Sequence, residues 1–386
     1  MDFGFTSEEE AFRQEIREFL RQELGSEHKG RTPHELFSRD FTRKLAEKGW
    51  LGVGWPKEYG GLGRPYTQQL VYSEEMMRSR APAGAHILAQ NMVGPSLIRV
   101  GTEEQKKEFL PKILSGEVVF CLGYTEPNAG SDLANCQTTA ILDGDEYVIN
   151  GQKLFTSFAG QADYAWMTVR TDPNAPKKHR GISMFIINMK TPGITVSELD
   201  TMWDYYNYEV FFDNVRVPKT AVVGELNKGW DYLTVALDHE RVFMGGVVAQ
   251  HRRLFEEIVQ YAKKTHRNGK PLSEDPVIRQ RLAQLAIDLE VGRLFAYRVA
   301  WLLGKGIVPF AEASMTKIFT SELERRLANT AMQVLGLYGP LDGESAPFDG
   351  YVGWEYKFSL MQAVGGGSNE IERILIAIAG LGLPRP

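Results

Sequence analysis

Residues 138–157 read TTAILDGDEYVINGQKLFTS, and they mark the point where the chain changes its period. Upstream, apolar residues recur every three or four positions. Here they fall into short β-rich runs punctuated by Asp143-Gly144 and Asn150-Gly151, dipeptides suited to tight turns. The runs ADYAWMTVRT, GISMFIINM and YEVFFDNVRVP extend the strand pattern to Pro218. A compact β domain is therefore expected over residues 118–228.

On both sides of it the pattern is helical. TSEEEAFRQEIREFLRQEL places Ser7 three residues before Glu10, a capping-box spacing, and sets Ala11, Phe12, Ile16, Phe19 and Leu20 along one side. GTEEQKKEFLPKILSGE repeats the theme with Thr102 and Gln105, and the glycine-rich GWLGVGWPKEYGGLGRP reads as a loop between them. From Gly229 onward, long helical patterns with short links suggest a bundle. The expected fold class is α+β and multidomain, with helices over 1–117, the β domain over 118–228 and a helical bundle over 229–386.

Composition narrows the function classes. A net charge of -5, with no run of Lys and Arg standing out from mixed charges, argues against a nucleic-acid partner. Two cysteines, Cys121 and Cys136, are too few for a disulfide framework and supply no metal cluster, so no metal site is expected. The first residues, MDFGFTSEEEAFRQ, lack the basic start and apolar core of a signal peptide, and no window approaches 18 uninterrupted apolar residues. A cytoplasmic protein without integral membrane association is expected.

One carboxylate falls where a surface carboxylate does not belong. On a helical projection Trp230, Leu233, Leu237, Met244, Val247 and Ile258 form an apolar stripe, and Glu240 lies in its middle. The positions three and four residues away hold Ala236, Leu237, Phe243 and Met244, so nothing on its own helix neutralises it. Two readings stand: a core carboxylate satisfied by an Arg from another helix, or a general base whose pKa desolvation raises. His251 shares the stripe and reads as a hydrogen-bonded core histidine, with no metal or triad pattern near it in sequence.

The most distinctive short run is YTEPNAGSD, 124–132. Pro127 and Gly130 punctuate a tight loop, and Thr125 and Ser131 offer hydroxyls to a polar ring and a phosphate. With GWPKEYGGLG (54–63), NGQKLFTSFAGQADYAWMTVRT (150–171), RGISMFII, FFDNVRVP, ERVFMGG, GKPLSEDPVIRQRLA (269–283), QVLGLYG (333–339) and SNEIER, it gives an ordered set covering nearly the whole chain. In that order and spacing the chain resembles the acyl-CoA dehydrogenase family.

The resemblance implies an N-terminal α-helical domain, a middle β-barrel-like domain and a C-terminal four-helix bundle, with FAD held between the last two. It implies a reaction in which a carboxylate removes the α-proton of an acyl-CoA thioester and the β-hydride passes to the flavin, leaving a trans-2-enoyl-CoA. By correspondence, Leu122, Tyr124 and Thr125 would contact the flavin ring, and Ser131 would sit near the phosphates or the thioester arm. Phe155 holds the place of an aromatic packed on the flavin, Ser157 that of a hydroxyl bonded to it, and Gln333 would reach the FAD of a neighbouring subunit. An aromatic wall and fixed donors are what a planar heteroaromatic cofactor needs. Electron-transferring flavoprotein is the implied acceptor, and a tetramer the implied assembly, of identical or of two different chains.

The stretch QAVGGGSNEIER, 362–373, departs from the common family pattern. Much of the family carries its base as the Glu of Y-E-G-T-S before this helix, and here Gly366 holds that place. A minority carries the base on a bundle helix directly before an Arg, and this chain has Glu240-Arg241. The periodic pattern and the resemblance thus meet on Glu240, with Arg241 and Gly366 beside the substrate. The glycines would leave volume for a branched or bulky acyl group, and Asn369 with Glu372 would cap the helix that follows. A second departure puts Thr265 where the family has an Arg that reaches the next subunit's FAD, with Arg267 as the substitute. Tyr205, Tyr206 and Tyr208 line an acyl pocket or pack a loop. The competing readings are an oxygen-reacting, acyl-CoA oxidase-like flavoenzyme and a non-catalytic subunit of a heteromeric dehydrogenase.

Overall fold

The computed structural model describes residues 4–25, 28, 36–203, 206–233 and 244–384. Its chain forms two compact units, one drawn from Leu36–Arg64 and Pro82–Glu240, the other from Met1–Glu35, Pro65–Ala81 and Arg241–Pro386.

The first unit is built on a seven-stranded sheet: β1 (Phe120–Gly123), β2 (Thr139–Asp143), β3 (Glu146–Lys153), β4 (Tyr164–Arg170), β5 (Ile182–Asn188), β6 (Ile194–Glu198) and β7 (Tyr208–Pro218). The spatial order is β1-β4-β2-β3-β7-β6, with β5 also paired to β4. Alternation sets what each face meets. In β4, Ala165, Met167 and Val169 join one apolar core with Phe185, Ile187, Val210 and Phe212. Trp166, between them, joins another core with Trp55, Leu97, Phe109, Leu110 and Ile113. Those partners come largely from α5 (Gly94–Val100) and α6 (Glu103–Leu114), which follow α2 (Arg39–Glu47) and the short α4 (Gly84–Leu88) in this unit. A one-residue slip of β4 would exchange every buried side chain between the two cores, at roughly 1.5–3 kcal/mol for each large apolar group left exposed.

Asp143-Gly144 makes the expected turn: β2 and β3 pair from Asp143 opposite Glu146, and Gly144 has φ +63. Asn150-Gly151 does not. It lies within β3, where the pairing with β7 shifts register and Gly151 has φ +144. A Cβ on Gly151 would come 2.7 Å from Thr138 Cα, so the glycine serves a bulge with close backbone approach. The loop at 54–63 is pinned by Trp55, whose indole N–H donates to Gln90 O at 2.9 Å while Gly94 leaves room for its ring.

The second unit holds the bundle: α7 (Met244–Lys264), α8 (Pro276–Gly304), α9 (Phe310–Leu335) and α10 (Tyr351–Gln362), followed by α11 (Asn369–Leu375). Leu254 and Ile258, Leu282, Leu285 and Leu289, Leu323 and Leu327, and Val352 form its common core. Two helices from the first third of the chain, α1 (Ser7–Leu24) and α3 (Tyr66–Arg78), belong to the same unit. They are locked together by buried charges: Arg13 bonds Glu74 at 3.0 Å and Glu75 at 2.7 Å, and Arg17 bonds Glu75 at 2.8 Å. At Gly246 any side chain would overlap Ser73, which lets α7 lie close to α3.

Three finer expectations need correction. The first helix is capped one residue earlier than the Ser7–Glu10 spacing suggests, by a capping box of Thr6 with Glu9; the Thr102–Gln105 box forms as expected. The Trp230–Ile258 stripe is not one core: Leu233 packs in the sheet unit and Ile258 in the bundle. At the glycine loop the cap is Ser368, whose Oγ accepts from Ile371 N at 3.3 Å. Asn369 instead turns inward to accept from Lys317 Nζ at 2.9 Å and Ser321 Oγ at 3.1 Å. Among the described residues, no helix is long and apolar enough to cross a membrane.

Candidate active site

The loop after β1 is held to the sheet by one buried carboxylate. Glu126 and Ala129 exchange backbone hydrogen bonds around Pro127 and Asn128, closing a tight turn. The Glu126 side chain accepts from Lys153 Nζ at 2.6 Å, Gln137 N at 2.6 Å and Thr138 N at 3.1 Å, and the Cys136 thiol donates to it at 3.1 Å. Burial alone would raise its pKa, but the Lys153 ammonium and the backbone donors outweigh burial and bring it down to about 2. Sequence reading did not single out Glu126 or Lys153; their pairing joins the loop to β3 through residues far apart in the chain.

Leu154 N donates to Thr125 O at 2.8 Å, so the Thr125 loop and the end of β3 are neighbours. The next residue, Phe155, has φ +52 and a side chain about half exposed. A bulky residue in that conformation is strained by on the order of 1–3 kcal/mol, and such strain concentrates at ligand sites. Thr156 Oγ1, beside it, is buried with no hydrogen-bond partner among the described residues. Leu122, Tyr124 and Thr125 are half-buried, and Ser131 is exposed on the same loop. The fold thus gathers Thr125 and Phe155 where the loop after β1 meets the end of β3, an exposed aromatic face beside an unsatisfied hydroxyl, which fits a planar cofactor with polar edges.

Ser157 takes a partner within the protein, donating to Asn207 Oδ1 at 3.0 Å. Two of the three tyrosines resolve as packing groups. Tyr208 is buried, its ring lies against Gly160 and its hydroxyl accepts from Gln161 at 2.9 Å. Tyr206 packs on Phe158 with ring centroids 5.3 Å apart. Tyr205, Glu240 and Arg241 lie outside the described residues.

In the bundle unit, Gln333 is exposed near the end of α9, and Arg267 is exposed in a two-residue strand, His266–Arg267. A Cβ built on Gly336 would lie 3.6 Å from Arg267 Nη2, so the guanidinium rests against the turn that ends the Gln333 helix. Thr265 has its amide bonded to Tyr261 O and its carbonyl to Leu272 N. Gly366 and Gly367 have φ +66 and +98, conformations glycine adopts without steric penalty. Lys317 secures this loop by donating to Gly367 O as well as to Asn369.

Family models for the N-terminal, middle and C-terminal domains of acyl-CoA dehydrogenases match residues 6–117, 121–215 and 227–381. The chain belongs to the acyl-CoA dehydrogenase family. It is an oxidoreductase of a class that is FAD-dependent. It is similar to acyl-CoA dehydrogenase FadE29 of Mycobacterium tuberculosis, 36% identical over 100% of this chain and 99% of that one. Among solved structures it is similar to the Tcur3481-Tcur3483 steroid ACAD, with TM-score 0.93, 38% identity and all of both chains covered. It is also similar to the ChsE4-ChsE5 complex from Mycobacterium tuberculosis, with TM-score 0.90, 36% identity and full coverage of both chains.

Proposed function

We propose that this acyl-CoA dehydrogenase oxidises a bulky, steroid side-chain-like acyl-CoA to its trans-2-enoyl thioester, with Glu240 as the α-proton base. The observation that carries this reading is the glycine loop. At the position where much of the family carries a carboxylate, Gly366 stands in a left-handed conformation. A Glu at that φ would be strained by about 1–2 kcal/mol, so the loop's shape as well as its composition speaks against a base there. Similarity to a steroid-directed relative supports the acyl class.

When bound, FAD would take up the hydride that leaves the β-carbon. The Thr125 and Phe155 loops would hold its ring, with Leu122, Tyr124 and Ser157 around it and Ser131 toward the phosphates or the thioester arm. Glu240 would accept the α-proton, with Arg241 and Gly366 beside the acyl-CoA. Arg267 and Gln333 would face the cofactor of a neighbouring subunit, Arg267 standing in for the guanidinium absent at Thr265. Their shared position at the Gly336 turn supports that role. The stretches 1–117, 118–228 and 229–386 would be the three functional domains. Electrons would leave to an electron-transferring flavoprotein.

A homotetramer is the proposed assembly. The two solved relatives are each named as pairs of chains, which makes a heterotetramer the specific alternative. Native mass spectrometry separates them: flavin-loaded tetramers of one chain are expected, and a flavin-free single-chain species would favour the heteromeric form.

The substrate reading is tested by adding straight-chain, branched and steroid side-chain acyl-CoAs anaerobically to the flavin-loaded protein. Bulky thioesters are expected to bleach the flavin, and bleaching by straight chains alone would overturn the proposal. Gly366→Glu should reduce turnover of bulky thioesters more than Gly366→Ala, which carries similar backbone strain without the larger side chain. Equal selectivity in the two variants would remove the argument from volume.

A further inference from the structure

The bundle core contains a second group of chemically active side chains that the dehydrogenase reaction does not use. His251 on α7, Glu324 on α9 and Glu355 on α10 each offer a ligating atom, and these atoms lie within 4.8 Å of one another. All three residues are buried, at 2%, 2% and 1% exposure. They are far apart in sequence, which is why no ligand spacing announced them.

Buried groups of this kind are ordinarily paired. Here His251 Nδ1 and Glu355 Oε2 have no hydrogen-bond partner among the described residues. The charged neighbour is Arg80, which bonds Glu257 at 3.2 Å, lies 4.0 Å over the Tyr351 ring and draws Glu355 electrostatically. Glu257 is also held by Arg253 at 3.1 Å. Tyr351 hydrogen-bonds Glu355, and its hydroxyl accepts from Gln250 at 3.1 Å.

The distances suit a small cation. Ligand atoms about 2.1 Å from a tetrahedral zinc are separated by about 3.4 Å. His251 Nε2 and Glu324 Oε2 are 3.3 Å apart, already the length of one such edge. Glu355 offers its ligating atom within 4.8 Å of the other two, a gap that side-chain rotation can close. Two carboxylates repel each other strongly in a dry core, and a dication removes that repulsion while giving the Glu355 carboxylate a partner. Imidazole and carboxylate without thiolate select a borderline or hard divalent ion, zinc or manganese, over copper(I). The gathering of Gln250 and Tyr351 behind Glu355 resembles the outer hydrogen bonds that orient metal ligands.

We propose that His251, Glu324 and Glu355 bind one divalent cation of the zinc or manganese class, tying α7, α9 and α10 together. Because the three side chains are enclosed, the ion would enter while the bundle folds, so it must be supplied during synthesis. The test is metal analysis of the FAD-loaded protein expressed in defined medium with zinc chloride or, separately, manganese chloride, and purified without chelators. About one ion per chain is expected from one of the two media, falling to below about a tenth in both Glu324→Gln and His251→Ala. Flavin content is expected to stay unchanged in Glu324→Gln, which separates metal loss from misfolding. X-ray absorption should show nitrogen and oxygen ligands only. Wild-type protein with less than about a tenth of an ion per chain from both media, or metal retained equally in both variants, would overturn the proposal.

Discussion

Two buried carboxylates in this protein have opposite fates. Glu126, under the loop of the sheet unit, receives the Lys153 ammonium, two backbone amides and a thiol. Glu324, in the bundle, is likewise closed to solvent and lies deeper, and burial raises it to about 8 where Glu126 falls to about 2. Its neighbour Glu355 is lifted to about 7, by burial first and then by Glu324 itself. Both sites exclude solvent, but Glu324 lies deeper and lacks the donors that Glu126 has. A carboxylate given its own cation becomes an anchor with a fixed geometry, whereas two left facing each other retain the capacity to bind something positive.

The largest expected effect comes from breaking the anchored site. Lys153→Met leaves Glu126 buried without its cation and should cost about 3–5 kcal/mol of unfolding free energy, read from denaturant titration. Flavin retention should fall with it, because the Thr125 loop loses its tether. A stable variant that keeps its flavin would show that the backbone donors suffice.

The same contrast has a pH signature. The folded value of Glu126 lies below the ordinary 4.5, so its contribution is fully present above that value and is lost as pH falls toward about 2. Wild type and Glu126→Gln, compared by acid unfolding, should differ most above pH 4.5 and converge toward pH 2. A constant difference would assign the anchor's strength to packing instead of charge. The smallest effect belongs to Glu324→Gln in metal-free protein, where no ion pair is broken and stability should change by less than about 1 kcal/mol. A loss comparable to that of Lys153→Met would contradict the distinction between the two sites.

Local periodicity made the broad fold legible. Strands β4 and β5 are buried almost throughout because each faces two cores, β7 alternates between one core and solvent, and the Asp143-Gly144 turn follows from backbone conformation alone. Asn150-Gly151 has the same local chemistry but sits in a bulge, since the demand on Gly151 comes from Thr138 across the sheet. The helical stripe from Trp230 to Ile258 suggested a single apolar face, but its two ends pack in different units. At the candidate site, Thr125 and Phe155 were legible through motif resemblance, whereas Glu126 with Lys153 and the His251 cluster arise only when distant segments meet. Tyr208 is a further case: its place in a distinctive run left an acyl pocket and a packed loop both open, and its contacts with Gly160 and Gln161 make it a packing group.

The role of Glu240 is tested by comparing anaerobic flavin bleaching in wild type and Glu240→Gln on addition of a bulky acyl-CoA. The account predicts that the variant folds and keeps its FAD but bleaches at least a hundredfold more slowly, on the order expected when a positioned general base is lost, because an amide cannot accept the α-proton. Bleaching at the wild-type rate would place the base on another residue and contradict the account.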